Sequence, residues 1–216
     1  RIEIDGDSLT LAATDRYRLA VRELRWEPTT PDSSAVALVP SRALADTAKT
    51  FGTDDVEIGL GDGGLFGLAT SDRRSTTVLL DGEFPKYKTL FPSESATVAR
   101  VETAALVESV KRVALVTDRH SPVRLSFDVD EVRLEAASGE DAAAVESLPA
   151  QLSGDGLTIG FNPHYLLDGL GALDTPVAVL SFTHPSKPVV LQGASSMDDA
   201  AGPDYRYLLM PVRLAG

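Results

Sequence analysis

The stretch RIEIDGDSLTL, Arg1–Leu11, returns without a gap as RLSFDVDEVRL, Arg124–Leu134. Ile2, Ile4, Leu9 and Leu11 are answered by Leu125, Phe127, Val132 and Leu134, so apolar residues fall at the same alternating positions in both. That period of two is the mark of strands with one buried face. The offset is 123 residues. Farther on, PSRALADTAKTFGTDDVEI from Pro40 answers NPHYLLDGLGALDTPVAVL from Asn162, and the offset drifts by only a residue or two, as loops allow. A degenerate repeat of this length describes two copies of one domain rather than a solenoid of short units. Residues 94–123 precede the repeated register in the second copy and have no counterpart ahead of Arg1, so the chain reads as a piece of a larger protein, divided into domains 1–92 and 93–216.

Each copy is strand-rich with embedded helices. In the first, Ile2–Ile4, Ser8–Ala13 and Leu19–Leu24 alternate like half-buried antiparallel strands, and Asp5-Gly6-Asp7 reads as a hairpin turn. Val123–Phe127, Val132–Ala136 and Ala144–Leu148 repeat the pattern. A helix opening near Pro40-Ser41 is expected to bury Leu44, Ala48 and Phe51 and to end at Gly52. Its counterpart opens at Asn162-Pro163, a cap residue followed by proline at the first helical position, and buries Leu166, Leu170 and Leu173. A third helix, Glu102–Thr117, carries Leu106, Val110 and Val113 on one stripe. Strands are expected again at 55–60, 65–70, 75–80, 177–182, 188–192 and 206–214, with a loop at Pro28–Ser34. The fold class is α+β: tandem copies with outer antiparallel sheets and helices lining the inner face.

With 43% hydrophobic and 24% charged residues, the chain has the composition of a globular protein that buries real cores. No apolar run approaches a membrane span, and the first residues, without a Met or a signal-like apolar region, carry no targeting information. The lack of cysteine excludes disulfides and thiolate sites and fits a reducing compartment. A net charge of −12 argues against a surface coated for tight nucleic-acid binding, while leaving room for a local basic face.

Signals for catalysis fail one by one. Gly59, Gly61 and Gly64 satisfy G-x-G-x-x-G, yet a strand rather than a helix follows at Leu65, so no helix N-terminus is offered to a pyrophosphate and a hairpin turn is the better reading. His120, His164 and His184 lack metal-ligand spacing. Asp5 with Asp7, and Asp198 with Asp199, read as solvated turn residues, because an acid–base pair needs opposed environments. No serine sits in a nucleophile elbow. Neither cofactor nor metal is expected, and these absences weigh against an enzyme using its acidic residues around a metal.

The placement of cations is more informative. Arg42 and Lys49, seven apart, share one face of the first helix, opposite Leu44 and Phe51, and Lys111 and Arg112 lie together on the long helix. Taken alone these are ordinary solvated faces. With two equivalent domains side by side, they would form a weakly basic lining able to follow a phosphate backbone without reading bases.

Four segments in order, ATDRYRLAV (13–21), GEFPKYKTLFP (82–92), IGFNPHYLLDGL (159–170) and YLLMPVRL (207–214), resemble the bacterial beta sliding clamp family, the processivity factors of the replicative DNA polymerase. The resemblance implies the DNA-clamp domain fold, here most of a middle domain and a whole C-terminal domain. It implies a three-domain chain, two of which close head to tail as a homodimeric ring around double-stranded DNA, cytoplasmic and nucleoid-associated, with no bond chemistry. Polymerase, clamp loader and repair proteins would insert a short peptide into an apolar pocket. Carried over, that pocket comprises Thr14, Arg18, Leu19, Pro85, Leu90, Leu208, Leu209, Met210, Pro211, Val212 and Arg213, with Arg16 at its rim. A proline that cannot complete a central ladder and an adaptable methionine suit such a terminal segment. Arg16, Tyr17 and Thr89 depart from residues common in the family and could reshape the rim. The edge facing another subunit would include Ala114, Leu115 and Val145 within the strand 143–148. The alternative is a divergent scaffold that keeps the pocket, for instance as protection against inhibitors, and does not load on DNA.

Overall fold

A computed structural model describes residues 1–52, 55–61, 63–117, 121–138 and 142–214, so His120 lies outside the described residues. Contacts divide the chain into two units, one of Arg1–Ala13 with Arg22–Tyr87 and the other of Thr14–Val21 with Lys88–Gly216.

In the first copy of the sequence, β1 (Ile2–Asp5), β2 (Ser8–Thr14), β3 (Arg18–Arg25) and β4 (Ser34–Ala37) follow the order β4-β1-β2-β3. The first hairpin pairs Ile2 with Leu11 and Ile4 with Leu9, and Gly6 turns it at φ +57, a conformation that favours glycine. Helix α1 (Ser41–Phe51) ends at Gly52, φ +65. A separate antiparallel sheet follows in the order β5 (Glu57–Gly61), β6 (Leu65–Ala69), β7 (Arg74–Val78). Gly59 and Gly61 are strand residues and Gly64 turns into β6, so the glycine pattern is a hairpin. Ile2, Ile4, Leu9, Val39, Phe51, Phe66 and Leu68 make the core, against which Leu44 and Trp26 pack.

The second unit runs β8 (Thr97–Glu102), α2 (Thr103–Val113), β9 (Val123–Phe127), β10 (Glu131–Ser138), β11 (Ala142–Ser153), β12 (Leu157–Phe161), α3 (Pro163–Leu170), β13 (Val177–Phe182), β14 (Val189–Ala194) and β15 (Tyr205–Leu209). The strand order is β12-β9-β10-β11-β8-β13-β14-β15. Strand β11 changes partner along its length: Ala142–Pro149 pairs with β10, and Ala150–Ser153 pairs with β8. Leu106, Val110 and Val113 of α2 and Leu166 and Leu170 of α3 are buried in a single core with the inward residues of the strands.

The two hairpins that carry the repeat share one register. Leu125 pairs with Leu134 and Phe127 with Val132, the positions equivalent to Ile2 with Leu11 and Ile4 with Leu9. A second echo lies inside the second unit, where β8 with α2 and β12 with α3 superpose in sequence without a gap. Val101, Thr103, Leu106 and Val110 are buried as Phe161, Pro163, Leu166 and Leu170 are.

Several expectations are corrected. Ala48 is exposed rather than buried. Its counterpart Leu170 is covered where α2 packs on α3, and the first unit holds no second helix among the described residues. Leu173 is half-buried beyond the end of α3. The last strand stops at Leu209 instead of running to Leu214; Pro211 has no N–H for a ladder, and only an isolated bridge, Gly160 with Val212, follows. The long helix is α only to Val113 and tightens to a 3-10 turn at Ala114–Val116. Strands β4, β8 and β12 were not expected, being short or running directly into a helix signal.

Candidate functional site

Thr14–Val21 belongs by its contacts to the second unit although it lies in the first copy of the sequence. Its loop is built by local hydrogen bonds. The Asp15 carboxylate accepts the backbone N–H groups of Tyr17 (3.0 Å) and Arg18 (3.1 Å), and the Thr14 hydroxyl donates to the Arg18 carbonyl (2.7 Å). These contacts hold Arg16 at φ +78, a left-handed conformation that is costly for a residue with a Cβ.

Arg18 joins three elements. Its Nε donates to Asp15 Oδ2 at 3.0 Å, and one terminal nitrogen reaches Asp168 Oδ2 on α3 at 2.5 Å and the Tyr207 hydroxyl on β15 at 3.4 Å. The guanidinium carbon lies 4.3 Å from the centre of the Tyr165 ring, a cation–π distance. Tyr17 stacks on the same ring with centroids 6.1 Å apart. The Tyr207 hydroxyl donates to the Tyr165 carbonyl at 2.7 Å, and the Met210 N–H donates to the Tyr17 carbonyl at 2.9 Å, tying the tail to the loop. Partial burial works against the charge of Arg18, but the hydrogen bonds it donates to Asp168, Tyr207 and Asp15 prevail and keep the guanidinium firmly protonated. Asp15 is held below the usual carboxylate range in spite of its partial burial, by the Arg18 guanidinium and the two backbone N–H groups. Burial pushes the Tyr207 phenol up.

Most of the residues carried over for a pocket lie in this unit. Thr14, Arg16, Arg213 and Met210 are exposed, Arg18, Pro211 and Val212 are half-buried, and Leu90 is 50% exposed. Leu19 at 2%, Leu208 at 6% and Leu209 at 2% are core residues of the strands that support the surface. Pro85 belongs to the first unit and is exposed. Val212 is pinned by its N–H to the Gly160 carbonyl at 2.8 Å. Among the described residues neither Arg16 nor Arg213 has an ion-pair partner, so the uncompensated charge of the surface sits on them rather than on Arg18. Asp15, Tyr165, Asp168 and Tyr207 were missed from sequence, and Tyr17 was read only as a departure at the rim. Two signals were available: the Asp15 to Arg18 spacing of an Asx turn, and the Tyr165 to Asp168 spacing that puts both on one helix face.

The four cations assigned to a lining all face carboxylates. Arg42 and Lys49 share Asp46 at 3.7 and 3.9 Å, Lys111 meets Glu108 at 2.8 Å, and Arg112 makes a two-pronged pair with Glu146 at 2.7 Å for each prong. The helix faces are therefore much closer to neutral than a count of Lys and Arg suggests. Of the residues assigned to a subunit edge, Ala114 is half-buried, Leu115 is 83% exposed and Val145 is 53% exposed. Val145 lies in the part of β11 that pairs with β10.

Glu146 also accepts from the Ser109 hydroxyl at 2.8 Å, so it fastens α2 to β11. The Arg112 guanidinium, and after it Ser109, hold its carboxyl at about 2 instead of the ordinary 4.5. A carboxylate depressed in the folded state adds stability above its unfolded pKa and loses that contribution as the pH falls through the folded one. Glu146→Gln is therefore expected to lower the melting temperature at pH 7, with the gap from the parent closing between about pH 4.5 and about pH 2. Melting curves across that window check it, and a gap that does not change with pH would remove the ion pair as the cause.

Comparison with known proteins gives a consistent picture. A family model described as the DNA polymerase III beta subunit, central domain, matches residues 1–86, and one for the C-terminal domain of that subunit matches 88–213. The beta sliding clamp of Streptomyces coelicolor is 58% identical over 100% of this chain and 59% of its own length. The beta sliding clamp homolog GriR of Streptomyces muensis is 45% identical over 98% of this chain and 57% of its own. The crystal structure of a DnaN sliding clamp from Pseudomonas aeruginosa bound to griselimycin is similar with a TM-score of 0.86 at 26% identity, covering 99% of this chain and 56% of that one. The chain thus spans less than two thirds of the length of these relatives.

Proposed function

Because this chain belongs to the DNA polymerase III beta subunit family, we propose that it supplies the middle and C-terminal domains, 1–92 and 93–216, of a sliding clamp. The clamp encircles duplex DNA, catalyses no reaction, and tethers the replicative polymerase, clamp loader and repair proteins through short peptides. Its work is topological. A ring cannot leave DNA sideways, and a tethered enzyme is held at high effective concentration over its template. Near-neutral helix faces suit that work, because few net phosphate contacts mean weak, sequence-independent binding and little resistance to sliding. The exposed edge at Leu115 and Val145 is the surface for the first domain of a second subunit in a homodimeric ring. The proposed location is the cytoplasm, at the nucleoid. The described residues contain no helix long and apolar enough to cross a membrane.

The observation that carries this reading is the surface where loop 14–18, α3 and the tail meet. Exposed Tyr17 and Met210 sit on a rigidly hydrogen-bonded base, and binding energy concentrates on a few such side chains. Thr14, Arg16, Leu90, Pro211, Val212 and Arg213 complete it, with Leu19, Leu208 and Leu209 beneath. The scaffold that does not load on DNA is not favoured, since the most similar relative quoted above bears the clamp's name.

A fluorescently labelled glutamine- and leucine-rich synthetic peptide is expected to bind the chain saturably at one site. Met210→Ala should weaken it by about tenfold, the effect of losing one principal contact. Anisotropy titration measures both. Unchanged affinity in that variant would move the site, and loading of the full-length protein on primed DNA separates clamp from scaffold.

A further inference from the structure

Arg18 is the residue on which the peptide surface turns, yet its charge is consumed within the protein. Asp15 holds its Nε from the same loop, while Asp168 holds the terminal nitrogen from α3. Asp168 and Tyr165 are three apart on that helix and so present one face, with the ring under the guanidinium and the carboxylate at its end. The Arg18 side chain is 26% exposed and Asp168 is 64% exposed, so the carboxylate is the more solvent-facing member of the pair and the cation the more covered one. Two other parts of the surface depend on this arrangement. Tyr17 stacks on the same Tyr165 ring, and its carbonyl takes the Met210 N–H.

We propose that Asp168 is a positioning residue for peptide binding: acting through Arg18, it fixes the guanidinium over Tyr165 and so sets Tyr17 and Met210 in their binding geometry. This rests on the peptide-binding reading above. Without the Asp168 carboxylate, Arg18 keeps Asp15, so the loop survives. Its terminal nitrogens lose their charged acceptor, and a long cation freed at one end explores the space that Tyr17 and Met210 define. A neutral Asn keeps the shape of the side chain but not the charge, and Glu keeps the charge with one more methylene.

The labelled peptide is titrated against the parent chain, Asp168→Asn, Asp168→Glu, Arg18→Lys and the Arg18→Lys/Asp168→Asn double variant. Asp168→Asn is expected to weaken binding about fivefold, as for a charge-assisted contact discounted for exposure. The melting temperature should stay within about 2 °C, the range of a surface substitution. Asp168→Glu should recover most of the loss. Lysine cannot form the planar fork, so the double variant should bind no worse than Arg18→Lys alone, a non-additivity that a merely structural role for Asp168 would not produce. Parent-like affinity in Asp168→Asn, or a further fivefold loss in the double variant, overturns the inference and leaves the peptide site standing. A parent chain that does not bind the peptide overturns that site and the inference with it.

Discussion

Leu19→Asp is expected to lower stability by about 4 kcal/mol, the sum of a lost leucine and a carboxylate placed where water does not reach. Leu19 is 2% exposed, and Val21, two residues on along the same face of β3, is 0% exposed. A drop of that size corresponds to a melting temperature about 10 °C lower or more. Peptide binding will also be lost, but as a consequence of unfolding around the site rather than of a missing contact. Met210→Ala distinguishes the two causes: Met210 is 41% exposed, and its N–H bond to Tyr17 is a backbone bond that alanine keeps. Thermal melts beside the titrations are therefore the measurement. Leu19→Asp should fail both, and Met210→Ala should fail only the titration. A Leu19→Asp chain that melts with its parent would show that the side chain had turned outward, and Leu19 would return to the list of direct contacts.

The contrast between those two leucine-and-methionine positions marks where the sequence was legible. Alternation in RIEIDGDSLTL and RLSFDVDEVRL gave not only the strands but the register of both hairpins, because a slip of one residue would turn every apolar side chain outward. The cap at Asn162 was equally readable, since its side chain accepts the N–H groups of His164 and Tyr165 as an N-cap should. Burial of Ala48 was not readable, for it depends on whether a second helix lies alongside, and that is a tertiary fact. The same holds for charge. Arg112 and Glu146 are far apart in sequence and meet only because β11 runs beside α2, so a basic helix face read from spacing turned out to be paired. Arg18 is the sharpest case. The resemblance made it a pocket residue, and although Asp15 engages its charge from the same loop, its other two partners come from α3 and β15, far along the chain.

Gly169→Val is expected to be at least as damaging as any change at the surface, and the reason sets two opposing effects against each other. Gly169 lies inside α3, where replacing glycine gains roughly 0.5–1 kcal/mol of helix propensity. A Cβ there would stand 2.6 Å from both Cδ1 and Cε1 of Tyr207 and 3.1 Å from a Leu191 methyl. The Tyr207 ring cannot swing away freely, because it is buried at 3% exposure and its hydroxyl donates to the Tyr165 carbonyl. Overpacking a site of this kind costs about 1–3 kcal/mol, so the clash prevails for Ala by a small margin and for Val, with two more methyls, by a wide one. Moving Tyr207 also removes the hydroxyl from Arg18, so loss of peptide affinity should accompany the loss of stability. Adding Tyr207→Leu to Gly169→Ala opens the space without restoring the hydroxyl. The double variant should therefore regain melting temperature but not peptide affinity. Recovery of both would mean that the Tyr207 hydroxyl contributes nothing to the loop, and a Gly169→Val chain as stable as its parent would mean that α3 and β15 are not packed this closely.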